Sequence, residues 1–460
     1  MVRPRAVHTP VTQKDLTEIV GKAASEGTGV RAVGGGHSWS AITQTDGELL
    51  DLSKYNQVLS IDRDSMTVTA QAGIRLRDIN EQLAQAGLAF PNLGTIDHQS
   101  VAGLVSTATH GTGIKYGTLS GQVAALDIID GRGEVIHCSP TENPDTFEAA
   151  RCGLGCCGLI STVTFNVVPA FHLEAHEEVM ELSDVLERLD EFVEQNDHFK
   201  FWWIPHTKFC IVMRQNRTDK PRRVDKYSRW MQQIVMRNVM LEAGLFLYSR
   251  RFRAIPKFNE MIVDFTPKQF EFVDRSDKVF LHPANVRHWE CELAVPVEHG
   301  RSVIGELRQF IDNTDIQIGF IVEVRFVKGE DVWMSPAHGR DSCYIGAFQY
   351  RSMPHEQYFF GFERFASFYG ARPHWGKLHN KTAADLQALY PKFDAFVAER
   401  NRLDPDGVFM NDYYAKLLTV PAQPQVENKA ASEATVDPRS AARDDMASGL
   451  RAALGGGSQG

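Results

Sequence analysis

The chain has 460 residues, of which 43% are hydrophobic and 23% charged, and it carries a net charge of -9. That length supports two or three domains around a large core, and the balance is that of a globular protein. The negative charge, with no broad basic patch, excludes a role built on neutralising nucleic-acid phosphates. Seven irregularly spaced cysteines form neither a disulfide framework nor a CxxC pair, which suits a reducing compartment. The run RCGLGCCGL has no histidine nearby, so small-residue packing is expected there and no metal. The N-terminal MVRPRAVHTPVTQ lacks the apolar core of a secretory signal, and no run approaches the ~18 apolar residues of a membrane span. A soluble, cytoplasmic protein is expected.

In chain order, Thr12 to Glu26 reads as a helix with a threonine N-cap and Leu16, Ile19, Val20 and Ala23 at helical spacing. The β-prone VRAV leads into VGGGHSWS, Val33 to Ser40. Three successive glycines let a backbone take positive φ and turn its N–H groups toward an anion. They lead to a second strand, GELLDLS, and not to a helix, so the dinucleotide fingerprint is rejected. The strands QVLSIDR and TVTAQAG follow, and Arg75 to Gly87 returns to helix.

Pro91 to Gly113, PNLGTIDHQSVAGLVSTATHGTG, is small, hydroxyl-rich and poor in charge. It suits a buried backbone lying flat against a planar ligand. A hairpin at VAALDIIDGRGEVIHC and a strand at GLISTVTFNVVP close an α+β unit near residue 170. Beyond it, FKFWWIPH and IGFIVEVRFV read as strands. Val224 to Phe252 reads as a basic amphipathic helix, packed into a core in preference to resting on a membrane surface. Strands and a helix continue to Gly370, and a helix is expected from Ala383 to Arg400. Residues 419–460 have the composition of a disordered tail.

Two clusters carry chemistry. In VEVRF, Glu323 and Arg325 share one face of a strand, while Val322, Val324 and Phe326 take the other. A carboxylate and a guanidinium so placed form an ion pair, or orient a substrate hydroxyl and stabilise developing negative charge. The loop RPHWGK groups Arg372, His374, Trp375 and Lys377; His374 and His379 alone are a weak metal signal.

Together, VGGGHS, NLGT…SVAG…THGTG, GLGCCGLISTVTFNVVP, WWIPH, EVRF, RPHWGK and LDPDGVFMN resemble the aldonolactone oxidoreductases of the vanillyl-alcohol-oxidase flavoprotein superfamily, from about Pro10 to Tyr414. The resemblance implies a two-domain α+β fold. An FAD domain would span 1–170 and a substrate-binding cap 171–418, with about 401–418 returning to the FAD domain. Gly34, Gly35, Gly36 and Ser38 would hold the pyrophosphate, and His37 would carry FAD covalently. Gly94, Thr95, Ser100, Gly103, His110, Gly111 and Thr112 would run beside the flavin ring and pyrophosphate, with Gly158 and Ile160 near the adenosine. Glu323, Arg325, Lys377 and His374 would serve catalysis. Glu323 would accept or orient the proton of the substrate's C2 hydroxyl, and Lys377 would stabilise negative charge on the reduced ring.

The implied reaction is oxidation of a sugar 1,4-lactone, L-gulono-1,4-lactone giving ascorbate through the 2-keto lactone. D-arabinono- or L-galactono-1,4-lactone or a polyol are alternative substrates. Gly94, lacking a side chain near the flavin, would leave room for dioxygen and hence peroxide formation; cytochrome c is the alternative acceptor. Membrane-associated relatives have a more apolar stretch where this chain has Val224 to Phe252, so membrane binding is not favoured.

Overall fold

The protein is described here from a computed structural model covering residues 2–282 and 285–421; the tail expected from residue 419 lies, from 422 onward, outside the described residues. The first helix, Gln13–Glu26, starts at a reciprocal cap. Asp15 N donates to Thr12 Oγ1 at 3.1 Å and Thr12 N donates to Asp15 Oδ2 at 2.8 Å. Its Leu16, Val20 and Ala23 are buried at the spacing the sequence shows. Strands Ala6–His8, Glu48–Asp51 and Val30–Val33 form a parallel sheet in that spatial order, and the glycine loop leaves the end of Val30–Val33. A five-stranded antiparallel sheet follows, ordered Val58–Asp62, Thr67–Gln71, Leu159–Asn166, Val123–Ile129, Val135–Cys138. The helices Leu76–Gln85 and Val101–Ser106 contribute Ile79, Leu83, Leu104 and Val105 to the same core.

The second half builds an eight-stranded antiparallel sheet. Its order is Gln269–Arg275, His172–Glu181, Phe209–Thr218, His198–Trp203, Val322–Val327, Ser342–Tyr350, His288–Pro296, Arg372–Pro373. Val322–Val327 and Ser342–Tyr350 are buried at every position, so both faces of the sheet's middle are covered. A charged side chain there is forced to find a partner.

Two expected helices differ. The helix anticipated over Ala383 to Arg400 is split into Ala383–Leu389 and Phe393–Leu403. Pro391, between them, removes a donor and clashes with a continuing turn. Val224 to Phe252 is helical as Lys226–Trp230, a π-helical Met231–Met240 and Leu241–Tyr248, yet it is not chiefly a core element. Its buried side chains are Gln233, Asn238 and Leu245, whereas Trp230, Val239, Met240, Phe246 and Leu247 are exposed. The reason is positional, because the segment walls a cavity. No helix among the described residues is long and apolar enough to cross a membrane.

The C-terminal LDPDGVFMN packs back on the N-terminal unit. Val30 N donates to Val408 O at 2.7 Å, and Arg31 Nη1 donates to the carbonyls of Gly155 (2.7 Å) and Phe409 (2.5 Å). Asp404, fully buried, shapes that turn by accepting from Val408 N and Phe409 N at 2.7 and 2.9 Å.

Candidate active site

Sheet register, more than loop geometry, assembles the polar cluster. Trp202 lies opposite Glu323, Glu323 opposite Gly346, and Gly346 opposite Glu292. One residue row over, Lys200 lies opposite Arg325, and Arg325 opposite Tyr344. Side chains directly opposite on neighbouring strands share a face. Four strands therefore present Lys200, Trp202, Glu323, Arg325, Glu290 and Glu292 together, with Gly346 leaving floor space between two carboxylates.

Glu323 accepts from three donors. Its Oε1 accepts from Lys200 Nζ at 3.2 Å and Trp202 Nε1 at 2.8 Å, and its Oε2 accepts from Arg325 Nη2. Burial pushes this carboxyl up most strongly, but the charges of Arg325 and Lys200 and the hydrogen bonds from Arg325 and Trp202 together outweigh it and hold it well below the usual range. Arg325 is raised in turn: burial lowers it, and the Glu323 and Glu292 charges prevail. Lys200 is the strained member, with burial depressing its amine to about 8 despite Glu323.

Lys377 Nζ donates to Glu290 Oε2 and sits 4.2 Å from the centre of the Trp39 ring. The loop carrying it is tied to the glycine loop: Trp39 N donates to Gly376 O at 2.8 Å, and Ser40 Oγ to Trp375 O at 3.1 Å. Lys377 and His37 are thereby brought to one cavity although 340 positions separate them. That cavity, about 1050 Å³, is also lined by Glu323, Arg325, Glu290 and Thr95. A smaller one of about 180 Å³ shares Gly36, His37 and Ser38 with it and extends past Gly34, Gly35, Ser100, Gly103, Gly158 and Ile160.

The glycines are required by close approach. A Cβ on Gly34 would stand 1.8 Å from Ser100 Oγ, and Gly36 holds φ +67°, a left-handed conformation. Gln99 Oε1, on the wall of the small cavity, is buried with no hydrogen-bond partner among the described residues. Such an acceptor asks for a ligand donor.

Residues 163–417 match the family model described as D-arabinono-1,4-lactone oxidase, and residues 4–139 match that of an FAD binding domain. The chain belongs to the D-arabinono-1,4-lactone oxidase family. A similar protein is the L-gulono-1,4-lactone dehydrogenase of Mycobacterium tuberculosis, 39% identical over 90% of this chain and 96% of that one. The L-gulonolactone oxidase of Bos taurus is 34% identical over 90% of this chain and 95% of that one. Among solved structures, cholesterol oxidase from B. sterolicum shares the fold, with a TM-score of 0.76 and 17% identity over 90% of this chain and 94% of that one.

As a member of this family the protein is an FAD-dependent oxidoreductase, and a nucleotide fits what the smaller cavity offers. Its small-residue cradle would be filled by any side chain at Gly34, its wall carries an orphaned acceptor, and it opens at His37 onto the reactive cluster.

Five expected site residues line neither cavity. Gly94 packs so that a Cβ would touch His110 O and Thr109 Cγ2 at 3.4 Å, and a Cβ on Gly111 would lie 2.3 Å from Asn92 Oδ1. Thr112 bridges two strands, its Oγ1 donating to Phe199 O and accepting from Phe326 N at 3.2 Å, which fastens the 91–113 loop to the sheet bearing Glu323. His110 lies with its ring 3.8 Å from that of Tyr344 and tilted by 37°, donates from Nδ1 to Gly111 O, and holds Nε2 3.4 Å from Glu292 Oε1. His374 is buried behind the cavity, pushed down to about 3 by burial above all.

His110, Glu292 and His374 bring ligand-type atoms within 4.8 Å of one another. However, His374 Nδ1 accepts from Gly376 N at 3.0 Å, which leaves the proton of the neutral ring on Nε2 and no free lone pair for a metal. The cluster's effect on Arg325 is electrostatic, through the charge of Glu292.

Lys200, Trp202, Glu290 and Glu292 belong to the candidate site although the sequence reading did not single them out. Their signal was present: K-x-W and E-x-E show the same alternation that singled out E-x-R.

Proposed function

We propose that the protein oxidises the C2 hydroxyl of a sugar 1,4-lactone, with L-gulono-1,4-lactone as substrate and ascorbate as the product after enolisation of the 2-keto lactone. The observation carrying this reading is the Glu323–Arg325 pair on the same cavity as Lys377 and His37. Bound FAD supplies the two-electron acceptor for the hydrogen leaving C2.

Residues 1–170 and the returning 401–418 hold the cofactor, and 171–400 supply the substrate face. Gly34 to Ser38, Ser100 and Gly103 cradle the pyrophosphate, and Gly158 and Ile160 border the adenosine. His37 is lowered from its usual value by burial first and then by the charges of His98, Arg75 and Lys377. Its neutral imidazole keeps a lone pair free for the covalent bond to the flavin.

Glu323 orients the reaction. Its remaining Oε2 lone pair accepts the hydrogen bond of the C2 hydroxyl, while its depressed pKa makes it a poor holder of the proton. That favours the orienting role over proton acceptance. Lys377, fixed by Glu290, and Arg325, fixed by Glu323, stabilise the negative charge that develops in the cavity, preorganised and shielded from water.

Dioxygen reoxidises the protein and yields hydrogen peroxide. A Cβ at Gly94 would meet His110 O and Thr109 Cγ2 and not the cavity, so the choice of dioxygen rests on the family resemblance and not on space at Gly94. Anaerobic mixing of the holoenzyme with L-gulono-1,4-lactone, followed by air, tests the proposal. The visible flavin band should bleach and then return with peroxide. No bleaching refutes the lactone, and a slow return refutes dioxygen.

A further inference from the structure

The larger cavity takes the flavin ring beside His37 as well as the lactone, and its lining is more apolar than a lactone needs. A six-carbon lactone is well below the drug-sized ligands that fill pockets of ~300–1,000 Å³, and every ring carbon it presents carries oxygen. Charged groups that suit it are Glu323, Arg325, Glu290 and Lys377. The wall built by the helical segment 226–265 and the loop before Val322–Val327 is different. Gln233, Arg237 and Asn238 stand in it, but its apolar surface comes from Met236, Met240, Met261, Phe258, Phe265 and Phe320.

Three features describe what this chamber receives. Thioether and aromatic side chains interleave, and that surface adapts to flat rings through sulfur–aromatic and ring–ring contacts. The chamber's rim is apolar at the protein surface: Met240 is 53% and Phe265 63% exposed, with Val239 and Leu247 exposed on the same helical run. A sugar arriving from water gains nothing from that approach, whereas a molecule of low water solubility does. Finally, Met231–Met240 is π-helical over its full length, a winding that usually occurs as single turns at functional sites.

The reaction has two reactants besides FAD. The charged groups satisfy the lactone, and the partner without a site of its own is the electron acceptor. We propose that the apolar chamber binds a quinone, as a second acceptor beside dioxygen. A quinone is amphipathic in the sense the cavity requires. Its carbonyl oxygens reach the Arg325 and Lys377 donors once the lactone product has left, and its ring and any apolar substituent lie among the methionines and phenylalanines. The balance is complete: the lactone's C2–H and O–H bonds break with loss of two electrons and two protons, and the quinone takes up two electrons and two protons to become the hydroquinone. This inference rests on the lactone reading for the first half of the reaction alone.

The test uses full-length holoenzyme whose flavin has been reduced anaerobically, in one arm by L-gulono-1,4-lactone and in another by dithionite. Reoxidation is then followed with 2-methyl-1,4-naphthoquinone, with a sulfonated naphthoquinone and with ferricyanide. The apolar quinone should reoxidise the flavin with saturable kinetics, faster than the sulfonated one by about tenfold or more, because the sulfonate must bring a charge into an apolar chamber. Met236→Asp should remove that advantage and Met236→Leu should keep it, with lactone reduction and the ferricyanide rate unchanged in both. Equal, unsaturable rates for the two quinones with the unaltered protein overturn the proposal. So does a Met236→Asp variant in which lactone reduction slows as much as quinone reduction, since the chamber then belongs to the lactone. Failure of the lactone to reduce the flavin, with quinone reoxidation intact after dithionite, refutes the lactone reading and leaves the quinone site standing.

Discussion

Lys200 and Arg325 face each other across neighbouring strands, and both reach the carboxylate of Glu323. Two like charges placed directly opposite repel, so Glu323 is the residue that lets this pair exist in a buried sheet. Glu323→Gln leaves both cations without their counter-charge. The variant should lose about 3–5 kcal/mol of stability, the cost of breaking a buried pair, read from urea unfolding of the flavin-loaded protein. Flavin reduction by lactone should slow by about 10²–10³. An unchanged reduction rate would show that Glu323 serves the fold alone.

Lys200 makes the site sensitive to alkaline pH. Burial depresses its folded-state value to about 8, against 10.5 ordinarily. Between those values the unfolded chain holds a proton that the folded chain has released, so this group's contribution to unfolding free energy rises with pH across that window. Below it, lysine is protonated in both states and the penalty for burying the charge is felt in full. Chemical denaturation on either side of the window should show the rise, and Lys200→Met should flatten it.

Lys377 is expected to act on rate. Lys377→Met removes the cation that Glu290 holds over Trp39. Rapid-mixing measurements should show reduction slowed by about 10²–10³, with Lys377→Arg recovering part of it because charge returns without the same reach. Full activity in the methionine variant would remove Lys377 from the chemistry.

His37 is tested without turnover. After acid precipitation, flavin should stay with the protein in the unaltered enzyme and pass to the supernatant in His37→Ala. Flavin that remains with the denatured variant would mean another attachment point.

Gly34→Ala should lose cofactor altogether, because its Cβ would fall 1.8 Å from Ser100 Oγ. The visible spectrum of the purified variant reports this directly; a normal flavin content would show that the loop can move aside.

Local signals were legible from residues. Thr12 and Asp15 announce a capped helix, the alternation of VEVRF puts Glu323 and Arg325 on one face, and consecutive glycines mark a backbone held close to something else. Pro391 is an equally local signal, and it divides the helix expected over Ala383 to Arg400. The exposure of Trp230, Val239, Met240, Phe246 and Leu247 was not legible, since an amphipathic pattern is the same whether its apolar side meets a core or walls a cavity.

What the sequence alone determined is therefore most of the elements, the glycine loop and the family. The tertiary structure decided the site's partnerships: Lys200 with Glu323 across 123 positions, Lys377 with Glu290 across 87, and Thr112 with the sheet across 214. Those contacts depend on which strands neighbour one another and in what register. A strand's own residues specify which face is apolar, through a period of two, but not which distant strand will lie beside it.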